Sequence, residues 1–232
     1  MALATWWRGD SVPALSLLPG FRVEASHDEH LIAEINQLAP DEVHQRMHTA
    51  HQPYLAYLQQ VPVGYGWMAT QDASIGELGL HFALPATERY LWDFTTLPEW
   101  QGYGIYPRLL QHMLMQQSST VERVWIIHAP ENSPSGAGMI KAGLLPVGQL
   151  SFRSDGGVGL APFDSLGRAQ AGAALLGIPL IERVLAPCWR CGGATHTHST
   201  AADAASCWPP LRPTTQPCTC AIELKPAKTL AV

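Results

Sequence analysis

Residues 89–128 restrict the fold more than any other stretch. Arg89 to Thr96 reads as a strand, and Pro98-Glu99-Trp100-Gln101-Gly102-Tyr103-Gly104 breaks it. From residue 105 to 117, Leu109, Leu110, Met113 and Leu114 recur on one helical face, and Pro107 falls in the first turn, where proline is tolerated. Val124-Trp125-Ile126-Ile127 is then a continuous apolar run, as expected of a strand buried on both faces. Strand, helix and strand in this order predict a parallel pair joined by a right-handed crossover. A glycine loop must therefore sit at the carboxyl end of the first strand. Such a loop aims several backbone N–H groups at one spot, at the positive end of a helix dipole, and suits a phosphate or pyrophosphate. Taken alone it is weak evidence, because many tight turns use glycine for geometry only.

The flanking segments fill out a mixed sheet. Residues 1–19 read as a leader or an irregular first element, and Phe21 to Ala25 as a short strand. Ser26-His27-Asp28-Glu29-His30 offers a helix cap, followed by Leu31, Ile32, Ile35 and Leu38 on one face. Pro40 starts a second helix, running to about residue 51. Residues 53–60 and 64–69 read as a hairpin turning at Val61-Pro62, and residues 75–84 as a further strand. Pro134 to Ala142 is a short helix stopped by Gly143, and Leu145 to Phe152 a strand. The expected boundaries are a first domain over residues 1–153, a helical extension over 154–187 with one helix from Leu166 to Leu176, and a cysteine-rich tail over 188–232.

The chain has 232 residues, 47% hydrophobic and 14% charged, which indicates a well-filled core. A net charge of −5 gives no basic face for nucleic acid. The first residues lack a basic region followed by an apolar core, and no run reaches the roughly 18–20 apolar residues of a membrane span. The expectation is a cytoplasmic protein with no nucleic-acid or membrane partner.

Pro98 to Gly104, followed by Leu109-Leu110, resembles the acetyl-CoA-binding motif of the GNAT superfamily of N-acetyltransferases, Gln/Arg-x-x-Gly-x-Gly/Ala, with Gln101 first and Gly104 in the middle. Asn132-x-x-Ser135 and Lys141-Ala142-Gly143-Leu144 resemble that family's second signature. The resemblance covers about residues 18–153. It implies an α/β fold, a mixed and mostly antiparallel sheet flanked by helices, with splayed central parallel strands. It implies that Gln101, Gly102, Tyr103, Gly104, Ile105 and Tyr106 hold the pyrophosphate of acetyl-CoA. Phe94, Thr95, Thr96 and Leu97 would bond its pantetheine arm, and Asn132 and Ser135 would lie at the same site. An amine would attack the thioester directly.

That chemistry needs a base for the acceptor ammonium, a backbone donor for the oxyanion and an acid for the leaving thiolate. Glu88 is the first base candidate and Asp93 the second. The chain departs from the family pattern twice. Tyr106 stands where a small residue is usual, and Met139 where a tyrosine often serves as acid. His128 and Tyr106 are the substitutes for that acid. Glu88, Asp93 and His128 each also have a plain structural reading: a solvated strand end, the surface face of an edge-like strand, and a hydrogen-bonded structural histidine. His44, His48, His51 and Tyr54 are candidates for the acceptor pocket or for an exposed helix face.

All five cysteines follow residue 187. Cys188-Trp189-Arg190-Cys191-Gly192 has the shape of a zinc knuckle, and Cys218 and Cys220 could complete a four-thiolate zinc site. A tail with incidental cysteines is the competing reading. The function expected is transfer of an acetyl group from acetyl-CoA to an amine of a small molecule or a protein. The alternative is a non-catalytic acyl-CoA-binding or adaptor module.

Overall fold

The computed structural model describes residues 1–129, 132–153 and 155–182, and the backbone alone of two dipeptide strands beyond them. Its elements are β1 (Ala2–Trp7), β2 (Phe21–Ala25), α1 (Glu29–Asn36), α2 (Pro40–His48), β3 (His51–Leu58), β4 (Val61–Ala69), β5 (Asp72–Ile75), β6 (Leu80–Ala83), β7 (Glu88–Thr96), α3 (Ile105–Met115), β8 (Arg123–His128), α4 (Ser133–Ala142), β9 (Leu145–Phe152), β10 (Val158–Pro162), α5 (Leu166–Leu176), β11 (Ala186–Pro187) and β12 (Ala221–Ile222). Eight of the strands form one sheet of order β10-β9-β1-β8-β7-β4-β3-β2. Its pairs are antiparallel except β7 with β8, which are parallel. This is the mixed α/β architecture expected from the sequence.

Alternation along the strands sorts the apolar residues into two faces. Ala4, Trp6, Tyr54, Ala56, Val63, Leu91, Val124 and Ile126 pack beneath α3 and α4, against Leu109, Leu110, Met113 and Met139. On the other face Leu55, Tyr57, Tyr65 and Trp67 meet Ile32 and Ala33 of α1 and Val43 of α2. Leu3, Tyr90, Trp125, Leu150 and Leu160 meet α5 through Ala169, Ala173 and Leu176. Both faces are covered, which is why Val124 to Ile127 shows no polar alternation.

Four local expectations change. Ala2–Trp7, expected as part of a leader or irregular element, is a central strand between β8 and β9. Its Thr5 is fully buried and donates from Oγ1 to the Val124 carbonyl at 2.9 Å. The hairpin turns at Gln59 and Gln60, not at Val61-Pro62. Both glutamines take positive φ (49° and 71°), and Leu58 pairs with Val61. Residues 75–84 are not one strand: β5 and β6 form a separate hairpin around a 3-10 turn at Gly76–Leu78. The second helix stops at His48, before His51. The sheet also continues past residue 153, since β10 pairs with β9 along its whole length. The helix expected over residues 166–176 is α5, and its Gly172 approaches so closely that a Cβ there would stand 2.6 Å from Leu3 Cδ2 and 3.2 Å from Trp125 Cζ3.

Leu3 is therefore a core residue at the junction of β1, β8 and α5. Leu3→Ala is expected to lower the unfolding free energy by about 2–5 kcal/mol in urea titration. A loss below about 0.5 kcal/mol would mean that β1 does not belong to the core.

Candidate active site

The parallel pairing of β7 with β8 lasts four residues, Glu88 to Leu91 against Arg123 to Ile126. Past that point β7 runs on to Thr96 and β8 to His128 without pairing to each other. A bulge in β7 coincides with the separation. Trp92 pairs with Trp67 and Thr95 with Tyr65, so Asp93 and Phe94 together face the single residue Gly66. Asp93 takes φ 50°, a left-handed conformation that aspartate tolerates better than most residues. Gly66 is required by the same geometry: a Cβ there would overlap the Phe94 ring.

The bulge is held from the opposite face. Arg46 Nη1 of α2 donates to Asp93 Oδ2 at 2.5 Å, and Asn36 Nδ2 of α1 donates to the same oxygen at 3.4 Å. Arg46 also donates to Glu42 at 2.8 Å and lies over the rings of Trp92 and Trp67, with its guanidinium carbon 4.6 and 5.2 Å from their centres. Trp67 Nε1 donates to Asn36 Oδ1 at 3.2 Å. His51 meets Trp92 edge-on, and burial holds its pKa below the ordinary histidine value.

Beyond the bulge, Thr95 and Thr96 still pair with Tyr65 and Gly64 of β4, and the Leu97 N–H donates to the Val63 carbonyl at 3.0 Å. A 3-10 turn at Pro98–Trp100 leads into the glycine loop. Gln101 Nε2 donates to the Thr96 carbonyl at 3.3 Å, fixing the start of the loop to the end of β7. Gly102 and Gly104 take φ 85° and 72°, which side chains rarely adopt. Helix α3 then opens at Gly104 with no side-chain cap and no acidic residue in its first turn. Its first N–H groups thus keep their partial positive charge for an anion. Arg108 adds a full charge beside them; its Nη1 donates to the Gly104 carbonyl at 2.8 Å and its Nη2 to the Ser16 carbonyl at 2.6 Å. Tyr103 is exposed and Ile105 is buried under the sheet. By its dipoles and its charge the loop therefore suits an anion such as the pyrophosphate of acetyl-CoA.

Tyr106 points from the first turn of α3 between Phe94, 5.6 Å away and edge-on, and α4. A Cβ on Gly138 would stand 2.5 Å from the Tyr106 ring, so Gly138 makes the room for this bulky residue. Ser135 Oγ donates to the Tyr106 hydroxyl at 3.1 Å, and burial pushes the phenol pKa up. Asn132 caps α4 by accepting from the Ser135 N–H at 3.1 Å. Met139 is buried in the core. His128 ends β8, past the paired segment. Its Nδ1 lies 2.8 Å from the Ala129 carbonyl, which can only accept, so Nδ1 carries a proton. A Cβ on Gly136 would stand 3.0 Å from the His128 ring.

Phe94, Tyr106, Ser135 and the glycine loop thus gather where β7 and β8 no longer pair with each other, with His128 at the end of β8. Glu88 does not join them. It stands at the opposite end of β7, eight residues before Thr96 and roughly 26 Å away at the usual strand rise. It is buried, and both its oxygens are engaged: Arg123 Nη1 donates at 3.0 Å and Trp125 Nε1 at 2.6 Å. Asp93 lies at the bulge but in the grip of Arg46. His44 and His48 are exposed on α2, while Tyr54 is buried on the other face of the sheet, under α3. Cys188, Cys191, Cys218 and Cys220 lie outside the described residues. No helix among the described residues is long and apolar enough to cross a membrane.

Sequence reasoning missed Gly66, Gly136, Gly138 and Arg46. The signals were present as Gly64-Tyr65-Gly66 within a strand and Gly136-Ala137-Gly138 within a helix, where glycine costs stability unless something approaches closely.

No family model and no curated protein matches this chain. Among the solved structures similar to it, three illustrate the likeness. One is an aminoglycoside acetyltransferase from an uncultured soil metagenomic sample, at 11% identity and TM-score 0.41, covering 53% of this chain and 87% of that one. Another is the ribosomal-protein-S18-alanine N-acetyltransferase of Escherichia coli, at 11% and 0.43, covering 57% and 81%. A third is an aminoglycoside 6'-N-acetyltransferase of Acinetobacter baumannii, at 14% and 0.40, covering 53% and 90%.

The surroundings of Glu88 make a prediction. Glu88→Ala would leave the Arg123 charge and the Trp125 N–H without their acceptor, costing about 1–3 kcal/mol or more in denaturant unfolding. Acetyl-CoA affinity, measured on the folded variant by calorimetry, is expected to stay within about threefold of the parent. Unchanged stability with weakened binding would instead put Glu88 in the site.

Proposed function

We propose that this chain is an acetyl-CoA-dependent N-acetyltransferase that acts on an amine of a small molecule or a protein. One observation carries the reading: β7 and β8 stop pairing directly beside an uncapped, acid-free helix start with two left-handed glycines. The unpaired edge of β7 suits an amide-bearing arm, and the loop suits the pyrophosphate to which that arm is attached. Gln101 to Tyr106 would hold the pyrophosphate, Phe94 to Leu97 the pantetheine arm, and Asn132 and Ser135 would support the site from α4. Bound acetyl-CoA would supply the activated acyl group.

The chain's own residues would manage the protons. Tyr106 is our choice for the acid. Its buried phenol stays protonated near neutrality, and the Ser135 hydroxyl fixes its direction. His128 is our choice for the group that takes the proton from the acceptor ammonium, because it ends β8 beside α4 and an imidazole is the side chain that exchanges protons most readily near neutrality. Glu88 and Asp93 would serve the scaffold, Glu88 by joining β7 to β8 and Asp93 by holding the bulge open.

The second reading is a module that binds acyl-CoA without turnover. The engagement of both carboxylates with arginines favours it. Purified protein, acetyl-CoA and a panel of amines separate the two when free thiol release is followed. The first reading expects thiol release with at least one amine, and Tyr106→Phe is expected to lower kcat by about a hundredfold or more. Its acetyl-CoA affinity should change only slightly. Binding with no release from any amine would favour the module, and a parent protein that does not bind acetyl-CoA would remove both.

A further inference from the structure

On the outer surface of the α1–α2 pair, three side chains converge that the site described above does not use. Asp28 caps α1 by accepting from the Leu31 N–H at 3.0 Å, which makes Glu29 the first helical residue. His44 and His48 stand one turn apart on α2, their ring centres 3.9 Å from each other. His44 Nδ1 lies 3.1 and 3.3 Å from the two oxygens of Glu29. His48 Nδ1 lies 2.9 Å from the His44 carbonyl. A carbonyl accepts only, so this nitrogen carries the proton, and Nε2 keeps the lone pair directed by that bond. Such an outer hydrogen bond fixes tautomer and ring direction in histidines that ligate metals.

We propose that Glu29, His44 and His48 form a binding site for a divalent first-row transition metal of borderline softness, zinc or its chemical neighbours. Two imidazoles and one carboxylate are the donor set such ions take, and a hard ion such as magnesium would seek oxygen alone. The donor atoms lie within 4.8 Å of one another. Bonds of about 2.0–2.2 Å in a tetrahedron need donors roughly 3.4 Å apart, a closure that small rotations of these partly exposed side chains supply. Water fills the fourth position. The ion would replace the His44–Glu29 contact and tie the start of α1 to the last two turns of α2. Arg46 lies between the two histidines in sequence and holds Asp93 at the bulge, so the staple would stiffen the helix that braces the gap. The site is separate from the cysteine-rich tail in sequence and in donor chemistry.

The test uses the full chain with its thiols alkylated by iodoacetamide, titrated with zinc by calorimetry and with cobalt by visible absorption. One equivalent is expected, with cobalt d–d bands and no thiolate charge-transfer band. His48→Gln leaves the His44–Glu29 contact in place and is expected to weaken zinc at least about tenfold. His44→Gln with His48→Gln should abolish the equivalent while the far-ultraviolet circular dichroism stays that of the parent. Absence of zinc binding at micromolar concentration, or unchanged affinity in the double variant, would overturn the proposal.

Discussion

Strand β7 carries one residue more than β4 can match, and the remainder of the site depends on where that residue sits. Asp93 and Phe94 together oppose Gly66, and the strand bends away from β8 at the place where their pairing ends. A left-handed aspartate costs on the order of 1–3 kcal/mol, and the packing around it must offset that cost. Arg46 and Asn36 on one face and the Phe94–Gly66 contact on the other do so. The result is a stretch of strand edge with no strand beside it, ending at a glycine loop. Backbone groups there are open to a ligand with amide groups of its own.

The two carboxylates of β7 divide the work of keeping that arrangement. Glu88 accepts from Arg123 and Trp125 of β8 and so joins the strands where they must stay together. Asp93 is joined to α2 where the strands must separate. A buried, doubly bonded Glu88 is worth more as a fixed partner than its charge alone suggests, because its loss would leave the buried Trp125 N–H and the half-buried Arg123 charge without their acceptor. In the proposed reading the proton chemistry would fall to Tyr106 on α3 and His128 at the end of β8.

The local grammar of the sequence was sufficient for α3, β8, α4 and α5, whose apolar periods, caps and stopping glycines match the observed ends closely. The glycine loop was legible for the same reason. Long-range choices were not. β1 has no local signal that separates it from a leader; its place is set by pairing with β8 and β9, more than a hundred residues away. The Gln59-Gln60 turn uses two left-handed residues without the glycine or asparagine that usually marks them. Glu88 read as a base because its partners lie 35 and 37 residues on, where no spacing rule links them to it. Tyr106 stood out as a bulky residue at a usually small position because Gly138, which makes room for it, belongs to a different helix.

The central claim is that acetyl-CoA occupies the gap past Leu91 and the loop at 101–106. Amide hydrogen exchange followed residue by residue, with and without saturating CoA, tests it most directly. The account expects slower exchange at Phe94 to Thr96 and at Gly102 to Tyr106, with little change at Glu88 to Leu91, which β8 already pairs. Saturation by CoA with unchanged exchange at those residues, and slowing elsewhere on the chain, would contradict it.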